Sequence, residues 1–512
     1  MKKTFQIIAV MAVMLAECAT PCMSGGSQAA AAAAAAPALS GRAIIDVRDF
    51  GASPTNSAAR NTEIIQACID SLQTGQTLLI NGKYRILGLY IDNKERIRIS
   101  GKGCLVLSGA GPSAFIFELR NNIRDIQIDS LELIGENEKG IAFAGNRQDR
   151  DAYLEAQYAT RPDMSDAELE SALRIITGNN SVQKSVYHQS AIGNYSGQSI
   201  HGVIFNNLFI HDINVGISLN ADLGGEYSNG LVISNKLINL PGAAPGQGYG
   251  IHLAGTVNCV IKANTIANAS RHAIYQAKTR GGLDSETIIQ DNVICDHRKS
   301  VALSRSSPRE RGWIRAAMDV ARSRSVLITG NTFNACYDTC LCIARDGAGG
   351  FPCSNITAVN NKFNARQNDS PYINIGEQLA LDNCPTENIA IISNAFTASC
   401  AGLDVQILQG KNIHFSHNTF SRKGVTGNVR FVRVGLGLYI SAPADIDRIT
   451  FVRNRYSGPS GNPDTVVYDI DPNVGAGTSM VNISRNSLKS IAHLWSCGDD
   501  NKITNPNLVL KP

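Results

Sequence analysis

The chain has 512 residues and a formal net charge of only +4, with 46 glycines and two tryptophans. That length lets a single repetitive domain bury a long core, and the glycine content suits a fold with many tight turns. Past the first two dozen residues no segment is apolar for long enough to span a bilayer, which argues against a membrane-spanning helix.

Residues 1–23 read as an export signal: Lys2 and Lys3 give a positive start, and Phe5 to Ala16 is an apolar run too short to cross a membrane. Leu15-Ala16-Glu17-Cys18 is a poor lipoprotein box because glutamate precedes the cysteine, so ordinary cleavage near Cys18 or Ala29 is expected. Residues 24–40, with eight alanines in a row, form a low-complexity spacer. The expected location is therefore secreted or periplasmic, and nucleic acid is a poor candidate partner. The remaining 41–512 read as one domain.

Ile44 to Ala52 opens that domain as a strand and turn. Asn61 to Leu72 follows as a helix whose Ile64, Ile65, Cys68, Ile69 and Leu72 share one face. Such a helix can cover an open end of a solenoid, where strand edges and core would otherwise be bare. Early strands lie within 95–134. Residues 146–180 break the pattern: Ser165 to Glu168 is a capping box, and Leu169, Leu173 and Ile176 recur at helical spacing. They are expected to form an α-helical insertion. Trp495 to Pro512 is expected to cover the other end.

From about 200 to 490 the sequence repeats. An Asn-x-apolar element recurs ten times between Asn207 and Asn486, at Asn207, 235, 264, 292, 331, 361, 394, 418, 454 and 486, a mean spacing of 31 residues. Asparagine tolerates left-handed backbone and bonds neighbouring main chain, so it suits a turn between strands. Stacked coils would align these side chains into a hydrogen-bonded column and merge the inward residues into one core. A two-sheet sandwich with asparagine-rich turns is the competing fold.

A resemblance sharpens the choice. A strand, Asp49-Phe50-Gly51-Ala52, a helix, and then Leu78 to Tyr84 are similar to the start of the pectate-lyase-like β-helix proteins, which include polysaccharide lyases, glycoside hydrolases, epimerases and phage tailspikes. The Gly-Asp-Gly and Asp-Asp-Thr that often follow are replaced here by Ser53 to Asn56 and Arg60-Asn61-Thr62. The resemblance implies an all-β, single-stranded right-handed parallel β-helix (solenoid) with an N-terminal capping helix and a helical insertion. It does not fix a reaction.

Of thirteen cysteines, two sit in or beside the export signal. Cys353 and Cys384 precede strands in neighbouring coils and could pair after export. Cys336, Cys340 and Cys342 lack a matching histidine or second cysteine pair for a metal, so core thiols or disulfides are expected instead. No metal or other cofactor is expected; carboxylates do not cluster tightly enough to support a calcium site.

Aligning the strand that opens each coil puts Ile217, Ile251, Ile274, Met318 and Leu341 inside. Ser218, His252, Tyr275, Asp319 and Cys342 then form an outward column. Four residues after each inward reference come Lys278, Arg322 and Arg345 in three successive coils; three before come Arg271 and Arg315. His272 and Arg280 are adjacent in sequence. Residues 297–324 hold eight lysines and arginines against Glu310 and Asp319, a net of +6 in a chain of +4. Most of them belong to a basic loop, 297–315, that also carries Trp313, a face for sugar stacking. This concentration of charge points to an anionic ligand.

An acidic polysaccharide fits. β-Elimination of a uronate polymer needs cations to neutralise the carboxylate, a base for the C5 proton, and an acid for the leaving oxygen. Neighbouring cations favour the basic form of a tyrosine or lysine. The expected roles are Tyr275 as base and His252 as acid or alternative base. Lys278 and Arg271 would neutralise the carboxylate, while His272, Arg280, Trp313, Arg315, Asp319, Arg322 and Arg345 bind substrate. A secreted, monomeric polysaccharide lyase is the leading expectation. A hydrolase, with Asp222, Asp319, Asp338 and Asp346 as possible carboxylates, a C5-epimerase, and a non-catalytic surface adhesin are the alternatives. The pectin-hydrolase signatures and the epimerase Asp-Pro-His-Asp are absent.

Overall fold

The computed structural model describes residues 44–108, 115–135, 190–194, 198–221, 226–240, 248–269, 271–277, 285–295, 316–336, 339–344, 353–366, 371–376, 386–435, 446–470, 481–491, 493–496 and 508–511. All lie in one compact unit, Ala43–Pro512. The export signal and spacer, the expected helical insertion (146–180) and the basic loop (297–315) fall outside the described residues.

The strands form three long parallel sheets, here called A, B and C, of 15, 13 and 13 strands, with a fourth of four strands. Each coil visits A, B and C in turn, as in Val260–Lys262, Thr265–Ala269 and His272–Ala277. Every strand pairs in parallel with its counterpart one coil away, so a short strand that could not survive alone is satisfied on both edges everywhere but at the sheet ends. This is the expected solenoid, not a sandwich.

The corner from A to B is one residue in left-handed backbone. It is Asn207, Ser234, Ala263, Asp291, Gly330, Asn360, Ser393, His417, Arg453 and Arg485 in successive coils, with φ between +52° and +68°. The next residue is the buried asparagine of the repeat. Each of these donates from Nδ2 to the following Oδ1, at 2.9–3.2 Å, through the column Asn235, 264, 292, 331, 361, 394, 418, 454 and 486. The asparagine column is thus real, but two details differ from expectation. The ladder asparagine is not the left-handed residue, because its amide must point inward to reach both neighbours. Asn207 is exposed and one position out of step; Leu208 occupies the ladder position, and its N–H donates to Asn235 Oδ1.

The core is one continuous cluster from Val47 to Ile483. Under sheet B, Phe333, Phe363, Phe396, Phe420 and Tyr456 stack with centroids 4.4–4.9 Å apart and planes within 7° of parallel. Coil spacing, about 4.8 Å between strands, imposes this separation.

Helix α1 (Ala58–Ser71) starts earlier than the periodicity suggests, because Ser57 caps it by accepting from Arg60 N–H. It covers the first coil as expected. Gln66 pairs with both the N–H and the C=O of Tyr90, and Thr62 Oγ1 accepts from Leu87 N–H. These contacts satisfy backbone groups that have no preceding coil to bond. In the tail, His493–Ser496 and Leu508–Lys511 add strands to sheets C and A, and the rest of the expected cover lies outside the described residues. The described cysteines are thiols. Cys353 is buried and donates to the carbonyls of Val320 and Ala344, so it is not half of the expected pair; Cys384 lies outside the described residues. No described helix is long and apolar enough to cross a membrane.

Candidate active site on sheet C

From Gln127–Asp129 onward the A-to-B corner keeps one length in every described coil, while chain length varies at the corners that flank sheet C. The basic segment 297–315 joins Val293–Cys295 of sheet B to Ala316–Ala321 of sheet C. A rigid sheet bordered by variable segments is where solenoids carry recognition chemistry.

The inward isoleucines fix the register of sheet C: Ile217, Ile251, Ile274, Met318 and Leu341 pair in successive coils. The outward column therefore runs Ser218, His252, Tyr275, Asp319, Cys342, Asn374, Gln406, Arg433, Asp469. Between Ser218 and Arg433 it holds one carboxylate, Asp319.

His252 and Tyr275 belong to a two-by-two array of rings with Tyr249 and His272. Neighbouring centroids are 5.0–5.5 Å apart and the planes lie within 24° of parallel. The Arg271 guanidinium sits 5.5 Å from the Tyr249 centroid, a cation–π contact at the rim. His252 Nδ1 and Ser218 Oγ share a hydrogen bond of 3.1 Å. His252, Tyr275, Arg271, Asp319 and Arg322 are all partly exposed.

His272 plays a different part from the substrate contact expected of it. Its side chain is 4% exposed, and Nδ1 donates to the Ala316 carbonyl at 2.6 Å. Because a carbonyl only accepts, that nitrogen carries a proton, and Nε2 is left 3.8 Å from Asp319 Oδ2. The ring stands beside Tyr275 and ties it to the next coil, where the basic segment enters. It shares the outward face of its register partner Tyr249, because Ala273 and Ile274 are the two consecutive residues that face the core, and the neighbouring rings bury it there.

That departure also hides Tyr249 from sequence reasoning. A Cβ on Gly250 would meet Ala273 O at 2.4 Å and Ile266 Cγ2 at 2.8 Å; one on Gly216 would meet Leu237 Cδ2 at 2.5 Å. Gly250 and Ile251 both face the core, so strict alternation fails and Tyr249 emerges beside His252. The run of small residues Gly216, Gly250, Ala273, Ala317 was the available signal. Arg322 takes left-handed backbone, φ +50°, at the far end of its strand. Lys278, Arg280, Trp313, Arg315 and Arg345 lie outside the described residues, as do Asp222, Asp338 and Asp346.

A second titratable cluster lies on sheet B. His211 Nδ1 is 2.6 Å from Asp212 Oδ2 and Nε2 is 3.0 Å from Glu132 Oε1. The bond to Asp212 raises the His211 pKa, with burial opposing and Glu132 assisting. Both ring nitrogens meet acceptors, so the imidazolium is held as a clamp between coils.

No protein-family model matches the chain, and no curated protein matches it in sequence. Solved structures do. The A-module of an Azotobacter vinelandii mannuronan C-5 epimerase is 11% identical, covering 91% of this chain and 97% of that one, with a TM-score of 0.51. The chain is a right-handed parallel β-helix. Also similar are the catalytic unit of an α-1,3-glucanase from Streptomyces thermodiastaticus, 13% identical over 89% and 70% of the two chains, TM-score 0.47, and a surface adhesin of Streptococcus pneumoniae, 12% identical over 89% and 93%, TM-score 0.48. At these identities the likeness is one of fold. The chemistry of this β-helix has to be argued from its own side chains.

Proposed function

We propose that the protein is an exported enzyme that acts on an acidic polysaccharide, and that it cleaves a uronate-containing chain by β-elimination. The observation that carries the reading is the register that sets Tyr275 between His252 and Asp319 in one outward column, with Arg271 at the rim and the basic segment entering alongside. Arg271 and Lys278 neutralise the uronate carboxylate, which makes the adjacent C5–H acidic. Tyr275, as phenolate, takes that proton. The C–H electrons form the C4=C5 double bond, the C4–O bond breaks, and His252 protonates the departing oxygen. Tyr275 is stacked on three rings, which holds its hydroxyl in a fixed direction. Arg315, Arg322 and Arg345 hold neighbouring sugars, and neutralisation is assigned to these cations, not to calcium.

Hydrolysis is disfavoured because it needs two carboxylates across the scissile bond, and the described column offers Asp319 alone near the rings. C5-epimerisation begins with the same proton abstraction and is supported by the shared fold with the mannuronan C-5 epimerase module. It differs in returning a proton to the opposite face without breaking the chain.

The test is an assay over alginate, polygalacturonate and glucuronan-type polymers that follows ultraviolet absorbance of unsaturated uronate, reducing ends and deuterium uptake in D₂O. A lyase raises absorbance and reducing ends together. Deuterium uptake without new ends would replace elimination by epimerisation; reducing ends alone would mean hydrolysis; no change on any polymer would leave a binding protein. Tyr275→Phe removes only the hydroxyl, keeps the ring stack, and is expected to cut the rate by roughly 10²–10⁴-fold without shifting the melting temperature. Full activity in that variant would end the assignment.

A further inference from the structure

The C-terminal coils carry a second basic surface, on sheet A, beginning five coils beyond Tyr275 and on a different face. The strands Gly410–Ser416, Ile446–Val452 and Val481–Ser484 lie side by side, with His414, Thr450 and Asn482 in one register row and Ser416, Val452 and Ser484 in the next. The corner residues that follow are His417, Arg453 and Arg485, one per coil. Together they line a groove of about 600 Å³ whose walls are His414, Ser416, His417, Val452, Arg453, Asn482, Ser484 and Arg485, with no carboxylate.

Two features set this groove apart from ordinary solvated surface. His417, Arg453 and Arg485 occupy the left-handed corner, with φ of +57°, +56° and +54°. The seven preceding coils use Asn207, Ser234, Ala263, Asp291, Gly330, Asn360 and Ser393 there, none of them cationic. Left-handed backbone costs an ordinary side chain about 1–2 kcal/mol, and asparagine or glycine relieves that cost. The chain forgoes this relief in three consecutive coils and installs a histidine and two arginines instead. The second feature is that these side chains stack about 4.8 Å apart, and the like charges of Arg453 and Arg485 repel. Nothing among the described residues forms an ion pair with His417, Arg453 or Arg485. Burial, and then His417, depress the His414 pKa.

A line of cations running along the solenoid axis suits an extended polyanion with one charge per repeat, since each sugar advances a polymer by a distance comparable to one coil. Asn482 and Ser484 can bond sugar hydroxyls between the charges. We infer that the sheet A groove built by His417, Arg453 and Arg485 is a second, non-catalytic holding site for an acidic polysaccharide. The identity of the polymer class rests on the reading of sheet C; the binding itself does not.

The experiment measures affinity for polygalacturonate and alginate in a background carrying Tyr275→Phe and alanine at Arg271, Lys278, Arg315, Arg322 and Arg345, so that chain cleavage and the sheet C cations do not contribute. Neutral dextran and phosphatidylglycerol vesicles are run in parallel. The background protein is expected to bind an acidic polymer in a salt-sensitive manner. Adding Arg453→Ala and Arg485→Ala is expected to weaken binding at least tenfold, and Arg453→Lys with Arg485→Lys to restore most of it. Unchanged affinity in the alanine variant, equal binding of dextran, or binding to vesicles alone would overturn the inference. If the double alanine variant loses its native circular dichroism, Arg485→Gln alone is expected to weaken binding several-fold, and its failure to do so counts equally against the site. Unsaturated-product formation by the parent enzyme is scored separately, so the two readings fail independently.

Discussion

Asn331 shows how much one side chain holds in this molecule. It is fully buried, donates from Nδ2 to Asn361 Oδ1 and to Ile289 O, and accepts through Oδ1 from the N–H and the Nδ2 of Asn292. Asn331→Ala leaves donors and an acceptor in two coils unsatisfied away from water. The expected cost is about 2–5 kcal/mol, measured as a fall in the urea midpoint. Asn207→Gly, at an exposed left-handed corner, is expected to stay within about 0.5 kcal/mol of the parent. The sequence shows both as the same Asn-x-apolar element, because a one-residue shift in phase is invisible without the coil-to-coil register. His211 gives the pH-dependent counterpart. Its pKa is raised above the ordinary histidine value of 6.5, first by Asp212 and with help from Glu132, while Asp212 is held below its ordinary value by that same bond against the opposing effect of burial. A histidine raised on folding contributes fully below its unfolded pKa and loses that contribution as pH rises through the folded value. The melting temperature advantage of the parent over His211→Gln is therefore expected to shrink from pH 6 toward pH 9. An advantage that grew with pH would mean a neutral ring.

At the scale of one element, the sheet C strand Tyr249–Ala254 joins stability to the proposed chemistry. Its inward Ile251 and Leu253 set the register that makes neighbours of His252 and Tyr275. Period-two alternation was enough to read that column from the sequence, because inward β-branched residues dictate which side chains face out. Alternation failed one step earlier, at Gly250, where two consecutive residues face the core. Gly250→Val would drive a side chain into Ala273 O and Ile266 Cγ2, both closer than 3 Å to its Cβ. The strand must then shift, carrying Tyr249 and His252 with it. The expected outcome is a loss of melting temperature together with a loss of turnover well beyond that of a surface substitution, since displacement of about an ångström in a catalytic group costs roughly 10²-fold. Retained turnover at a lowered melting temperature would separate the ring array from the chemistry.

For the whole molecule, repetition made the architecture legible: a recurring asparagine and alternating strands specify coils that cannot bury their faces singly. What repetition hides is its own termination, and both ends show it. The tail is expected to cover the other end, and within it Leu508–Lys511 pairs with Val481–Ser484 as one more strand of sheet A. The first coil has a dedicated cover. Helix α1 lies over it, burying Ile64, Ile65, Cys68, Ile69 and Leu72 and matching polar side chains to the bare backbone of the coil. Gln66 is 9% exposed and closes two hydrogen bonds with Tyr90, whose strand has no earlier neighbour in sheet C. Because coils are coupled only to the next coil, fraying that begins here has nothing behind it to resist. Gln66→Ala is expected to leave the chemistry on sheet C untouched, since the ring array lies several coils away, while lowering the unfolding midpoint by about 1–3 kcal/mol. Hydrogen exchange is expected to rise first in the strands Lys83–Ile86 and Leu89–Asp92. If protection instead fell evenly along all coils, the solenoid would be unfolding as one cooperative block and the cap would not be its weak end.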